Sequence, residues 1–224
     1  MVAAAFFDLD RTLLRRSSAL ALAGSFRKRG LISRRQMLRA AGWQLLFAAR
    51  GASHDAVQRA SEGGLRVLAG YTPGELRQLV AEAMEPVLRP LVYAEPLRLV
   101  EQHHERGESV YIVSAALQEI VEAIADDLGF DGALGTICEV KDGRYTGKAV
   151  RSLYAEAKAV CLREVAHAEG FDLAECTAYS DSHTDVPFLE AVGHPVAVNP
   201  DRALRRVAAE RSWPVLEFKM RHAA

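Results

Sequence analysis

Four acids, a lysine, a threonine and a serine stand in this chain where they could do chemistry together. Asp8 and Asp10 close the apolar run of VAAAFFDLDRTLL, residues 2–14, with Thr12 just behind. Two acids at the end of a buried strand are costly, because an unpaired charge loses its hydration there. A second spaced pair, Asp181 and Asp185 in DSHTD, directly follows the apolar run CTAYS. Ser114 follows SVYIV, and Lys158 lies in the helical segment before the second acidic pair. Carboxylates at this density need compensation by a metal, a proton or an ammonium group.

These residues act together only if the chain folds their elements to one edge. Residues 2–8 read as a short buried strand, and similar runs recur at 109–113, 176–179, 195–198 and, more briefly, 214–216. Helical patterns lie between them, at about 116–128 with Gly129 placed as a C-cap, at about 152–168 with Gly170 after it, and at about 201–211. Strands alternating with helices predict an α/β fold, a Rossmann-like parallel sheet covered on both faces as three layers. In such a sheet ligands bind beyond the C-terminal strand ends, where Asp8, Ser114 and Asp181 fall. ICEVKDGRYTG (137–147) reads as a hairpin turning at Asp142-Gly143. Residues 15–87 show helical patterns and no convincing strand, which predicts a helical cap inserted into a core made of 1–14 and 88–224.

The array DxDxT, Ser, Lys, DxxxD resembles the haloacid dehalogenase superfamily of phosphohydrolases, in its phosphoserine-phosphatase-like branch. The motifs here are Asp8-Leu9-Asp10-Arg11-Thr12, Ser114, Lys158 and Asp181-Ser182-His183-Thr184-Asp185. That branch also has a helical cap between the first two motifs and a KDG…TG hairpin before the lysine. The resemblance covers Val2 to about Asp201. It implies a Mg²⁺-dependent hydrolase of small phosphorylated metabolites that forms an aspartyl-phosphate. Asp8 would be the nucleophile, Asp10 the general acid and base, and Lys158 the charge balance. Thr12 and Ser114 would hold phosphate oxygens. The Asp8 and Asp181 carboxylates and the Asp10 main-chain carbonyl would hold Mg²⁺, with Asp185 behind them. The resemblance implies no nucleic-acid partner and leaves oligomeric state open.

Each residue also has a plainer reading. Asp8 and Asp10 suit a solvated turn at a strand end, Ser114 suits the N-cap of a helix starting at Ala115, and Asp181 and Asp185 suit the first turn of a helix. Lys148 and Arg151 rival Lys158. His183 reads as a loop residue. His103 and His104, adjacent on a helical pattern, point in different directions and make no joint metal site.

Composition bounds the rest. The chain has 224 residues, 50% hydrophobic and 25% charged, enough for one core plus an inserted subdomain. No apolar run is long enough to span a bilayer. The start, MVAAAFFDLD, lacks a basic n-region. Cys138, Cys161 and Cys176 form no CxxC pair, which predicts a reducing cytoplasm. Residues 11–70 carry twelve Arg or Lys against two acids, Asp55 and Glu62. That reads as a solvated basic face, or as a lid that attracts anionic substrates or an anionic lipid surface. AAGWQLLFAA (40–49) reads as packing inside a helical lid, or as a helix touching a membrane. Phosphoserine phosphatases hold the substrate's amino group with a cap carboxylate nine positions after the nucleophile, and Ser17 stands there. Arg15 and Arg16 adjoin it, the basic lid favours a more anionic substrate, and Arg59 and Arg66 are candidate carboxylate or phosphate contacts. A phosphatase of lipid phosphates and a non-enzymatic phosphate-binding module are the alternatives.

Overall fold

A computed structural model describes residues 2–30, 32 and 65–220 of the chain. The stretch 40–49 and Arg59 lie outside them. A seven-stranded sheet has the order β4-β3-β2-β1-β5-β6-β7. Its strands are β1 (Ala4–Phe7), β2 (Ser109–Leu117), β3 (Gly132–Lys141), β4 (Arg144–Arg151), β5 (Thr177–Ser180), β6 (His194–Val198) and β7 (Val215–Leu216). All neighbours are parallel except β3 and β4, which pair antiparallel. The helices are α1 (Ser18–Lys28), α2 (Pro73–Ala83), α3 (Ala94–Glu105), α4 (Gln118–Leu128), α5 (Glu156–Glu169), α6 (Val186–Leu189) and α7 (Arg202–Glu210).

Strand β1 is central because every residue of it is apolar and fully buried. Its side chains alternate between faces. Ala5 and Phe7 enter one core with Val100 of α3, and with Ile120 and Ile124 of α4. Ala4 and Phe6 enter the other with Leu162 of α5, Phe188 of α6 and Leu204 of α7. Burying a Phe side chain stabilises by about 1.5–3 kcal/mol, so both faces are committed and the register cannot slip. Phe7 stacks on Tyr179 of β5 with centroids 4.2 Å apart and planes 12° from parallel. The residues just beyond β1 and β5 are Asp8 and Asp181, so this pairing brings both acids to the same end of the sheet.

The predicted helix ends at Gly129 and Gly170 hold: both glycines are left-handed C-caps, at φ 76° and 75°. The predicted starts do not. The helix expected near 116 begins at Gln118, because β2 continues to Leu117 through a bulge between Val113 and Leu117. Ser114 is therefore not a helix N-cap; its hydroxyl accepts from the Ala116 N–H at 3.1 Å. The helix expected near 152 begins at Glu156, after Ala155 takes the left-handed φ of 53°. The hairpin turns where expected, with Asp142 and Gly143 at φ 50° and 74°, and its strands run longer than the motif.

Two helices of the 15–87 segment are described. Ser17 caps α1, and Thr72 and Glu75 close a capping box on α2. The end of this segment is tied to the hairpin. Tyr145 donates its N–H to Tyr71 O at 2.8 Å, and Gly70 donates to Tyr145 O at 2.9 Å. A Cβ on Gly147 would lie 3.0 Å from the Arg66 Cα, so glycine lets the two approach. Among the described residues no helix is long and apolar enough to cross a membrane.

Candidate active site

Lys158 joins three of the four motifs. Its ammonium lies 2.5 Å from Asp8 Oδ1 and 2.6 Å from Asp185 Oδ2. Lys158, Asp8 and Asp185 are 3%, 6% and 4% exposed, so these are buried ion pairs rather than solvated ones. Lys148 and Arg151 do not compete: Lys148 is exposed, and Arg151 pairs with Glu164 at 2.5 Å. The strained turn at Ala155 starts α5 so that Lys158 falls in its first turn, with its N–H on Ala155 O at 3.0 Å.

Each acid is placed by its own element. Asp8 follows β1 and donates its N–H to Tyr179 O at 2.9 Å, which fixes it beside β5. Asp181 follows β5, and its carbonyl accepts from the Asp201 N–H at 2.8 Å. Asp185 ends a 3₁₀ turn, His183–Asp185, and takes a second hydrogen bond from Ser180 Oγ at 2.7 Å. Asp10, partly exposed, accepts the Ser18 N–H on Oδ1 at 2.8 Å. That bond ties the second acid to the N-terminus of α1.

Burial dominates the titration of the group. It pushes Asp8 up to about 7, against the pull of Lys158 and with repulsion from Asp185 added. It pushes Asp181 up to about 8, reinforced by Asp8 and Asp185 and opposed by Arg11. It also raises Asp10, and the Ser18 N–H holds that rise back. Burial alone would lower Lys158, but Asp185 and Asp8 outweigh it and keep the ammonium charged. Three buried carboxylates against one ammonium leave an excess of two negative charges if all are ionised.

That excess and the donor types fit one hard divalent cation. Among the described residues no group of three His, Cys, Asp or Glu side chains converges as a ligand cluster. The fitting donors are two carboxylates, Asp8 and Asp181, with a main-chain carbonyl. Two residues after Asp10, Thr12 Oγ1 is fully buried with no hydrogen-bond partner among the described residues. A buried hydroxyl without a partner costs about 1–3 kcal/mol, so its orphan donor suits an incoming oxygen. Ser114 is 2% exposed at the bulged end of β2.

Three contributors escape a reading of the sequence. Ser180 looks like one more residue of a strand, though a hydroxyl ending an apolar run was a signal. Asp201 caps α7 through the Ala203 and Leu204 N–H groups and holds His183 by its N–H at 2.9 Å and Nδ1 at 3.1 Å. The predicted loop residue His183 is thus tied to α7. Arg11 takes a left-handed φ of 67° between Asp10 and Thr12. His103 and His104 diverge as expected: His103 Nε2 meets the Tyr179 hydroxyl at 2.9 Å, and His104 meets Asp131 at 2.9 Å. Arg66 is exposed on the segment against the hairpin.

The model for haloacid dehalogenase-like hydrolases matches residues 5–190. The chain is 46% identical over 216 residues to the "Inhibition of morphological differentiation protein" of Streptomyces azureus, covering 96% of this chain and 78% of that one. It is 45% identical over 215 residues to a "Probable phosphatase" of Mycobacterium tuberculosis, covering 96% and 75%. It is 35% identical over 226 residues to a phosphoserine phosphatase of the same organism, covering 100% and 73%. A crystal structure of a Bordetella pertussis protein with unknown function superposes with a TM-score of 0.83 at 31% identity, over 96% of this chain and 98% of that one. A substrate-bound phosphoserine phosphatase shares the fold, with a TM-score of 0.70 at 18% identity over 96% and 93%. The family match spans the first motif, the lysine and the fourth motif, so the chain belongs to the haloacid dehalogenase-like hydrolases, as a phosphatase of phosphoserine-phosphatase-like type.

Proposed function

We propose that this enzyme hydrolyses a small phosphate monoester in two steps through an aspartyl-phosphate on Asp8. The observation that carries the reading is the buried bridge from Lys158 to Asp8 and Asp185. It gathers residues 150 positions apart around one carboxylate.

In the first step an Asp8 oxygen bonds to phosphorus as the ester P–O bond breaks. Asp10 gives its proton to the departing alkoxide. Its burial, which raises its pKa, favours the protonated form that this step needs. In the second step Asp10 takes a proton from water, the water oxygen bonds to phosphorus, and the P–O bond to Asp8 breaks to release phosphate. Thr12 and Ser114 hold phosphoryl oxygens, and Lys158 offsets their charge. A carboxylate approaching an anion at about 4 Å is opposed by roughly 4 kcal/mol per charge pair at an effective dielectric near 20. The Asp8 and Asp181 carboxylates and the Asp10 carbonyl would hold Mg²⁺, which would supply the remaining positive charge and favour ionised Asp8. Asp185, itself held by the Ser180 hydroxyl, keeps the lysine in place.

Residues 15–87 form the cap of this enzyme, and 1–14 with 88–224 its core. The Ser18 bond to Asp10 means that the cap's first helix touches the proton donor directly. Three free, buried cysteines suit a reducing cytoplasm. The test is p-nitrophenyl phosphate hydrolysis with Mg²⁺: wild type turns over, while EDTA or Asp8→Asn reduces release to background. Turnover by folded Asp8→Asn contradicts the reading.

A further inference from the structure

We propose that Asp201 is a positioning residue for the divalent cation: its carboxylate and N–H lock the loop after β5 to α7 and so hold Asp181 in place as a ligand. The inference rests on the reaction above and adds to it a residue that lies outside the four motifs.

The first observation is how fully this carboxylate is used. An ionised carboxylate offers about four acceptor sites and no donor. Asp201 Oδ1 accepts the Ala203 N–H at 2.9 Å and the Leu204 N–H at 2.8 Å. Its Oδ2 accepts the His183 N–H at 2.9 Å and the proton of His183 Nδ1 at 3.1 Å. Capping α7 needs only the first oxygen, and a serine would cap as well. The second oxygen serves the loop. The second observation is the main chain. The Asp201 N–H donates to the Asp181 carbonyl at 2.8 Å, so one residue grips the loop at Asp181 and again at His183. The third is the anchor behind that grip. Leu204 and Ala208 of α7 are fully buried in the core that also takes Phe6 of β1, the strand that ends at Asp8. The bonds of Ser182 run to Ser180, Thr184 and Asp185, within its own stretch, so Asp201 supplies a tie to a separate element. Asp8 and Asp181 come from different strands and would share one ion. Mg²⁺ demands near-ideal geometry, so slack in the loop after β5 becomes slack in the site.

The experiment measures Mn²⁺ binding, from the electron paramagnetic resonance of the free ion, beside Tm. It uses wild type, Asp201→Asn, Asp201→Ser, His183→Ala and Ala208→Gly. Asparagine has one acceptor oxygen and serine a short hydroxyl, so each can cap α7 but cannot hold the loop as well. Both should weaken Mn²⁺ binding by about tenfold or more. His183→Ala keeps the main-chain bond and should weaken it less. Ala208→Gly loosens α7 from within and keeps the loop bonds, so it should lower Tm and leave Mn²⁺ affinity unchanged. Turnover of p-nitrophenyl phosphate by Asp201→Asn should recover as Mg²⁺ is raised, a rescue that a purely structural role would not show. Wild-type affinity in every folded variant of Asp201 and His183, or an equal loss in Ala208→Gly, overturns the inference and leaves the hydrolase reading intact. A wild type that binds no Mn²⁺ also overturns it, and one that in addition fails to hydrolyse p-nitrophenyl phosphate removes both readings.

Discussion

Two buried polar groups flank the same pair of strands, and they are built differently. Behind Phe7 and Tyr179, His103 is enclosed with Tyr179 on Nε2 and Glu108 on Nδ1. Each ring nitrogen has a partner, and the Glu108 carboxylate is paired with Arg106 at 2.6 Å. Beyond the same strands, Asp8 and Asp185 share one lysine, Asp181 has no ion pair among the described residues, and Thr12 Oγ1 has no hydrogen-bond partner among them. A polar group whose needs are met internally holds the fold, whereas one left with excess charge is built for something that arrives. The five outcomes below test that difference.

Asp8→Asn should have the largest effect, reducing phosphate release to background with the fold intact. Asp10→Asn should lower kcat by about 10²–10⁴ through loss of the proton donor; near-normal turnover by a folded sample would deny Asp10 that role. Lys158→Met should cost about 3–5 kcal/mol in urea unfolding, because it strands two buried carboxylates. Asp181→Asn should act oppositely. The folded pKa of Asp181 is raised to about 8, so its protonated form is favoured by folding and stability falls as pH rises from about 4 toward 8. In EDTA at pH 7 the neutral amide should therefore raise Tm by at least about 2–4 °C, the shift that 1 kcal/mol gives a domain of this size.

The smallest effect belongs to the matched group. Burial lowers His103, against the pull of Glu108. The unfolded chain thus binds a proton near pH 6.5 that the folded one refuses, and stability falls as pH drops below that value. The slope from this group is at most about 1.4 kcal/mol per pH unit. His103→Gln should flatten it while leaving kcat near wild type. A large loss of kcat there would erase the distinction between the two groups.

The sequence carried the acids further than it carried their supports. Asp8, Lys158 and Asp185 meet because short apolar strands fix their ends, and apolar runs are visible in one dimension. The parallel α/β sheet and the helix stops at Gly129 and Gly170 follow from the same local patterns. The late starts of α4 and α5 do not. The β2 bulge depends on its pairing with β3, and Ala155 adopts a positive φ that alanine does not choose locally. Ser180 and Asp201 matter through a partner five residues away and a loop eighteen away, and no periodic pattern marks either.

The central claim is that Asp8 carries the phosphoryl group during turnover. Wild type and Asp10→Asn can be mixed with substrate and Mg²⁺, quenched, and reduced with borohydride, which converts an aspartyl-phosphate to homoserine. Peptide mass spectrometry should find homoserine at position 8, only when substrate is present and never in Asp8→Asn. Steady turnover with position 8 unmodified, or with the label on Asp10 or Asp181 instead, would contradict the account.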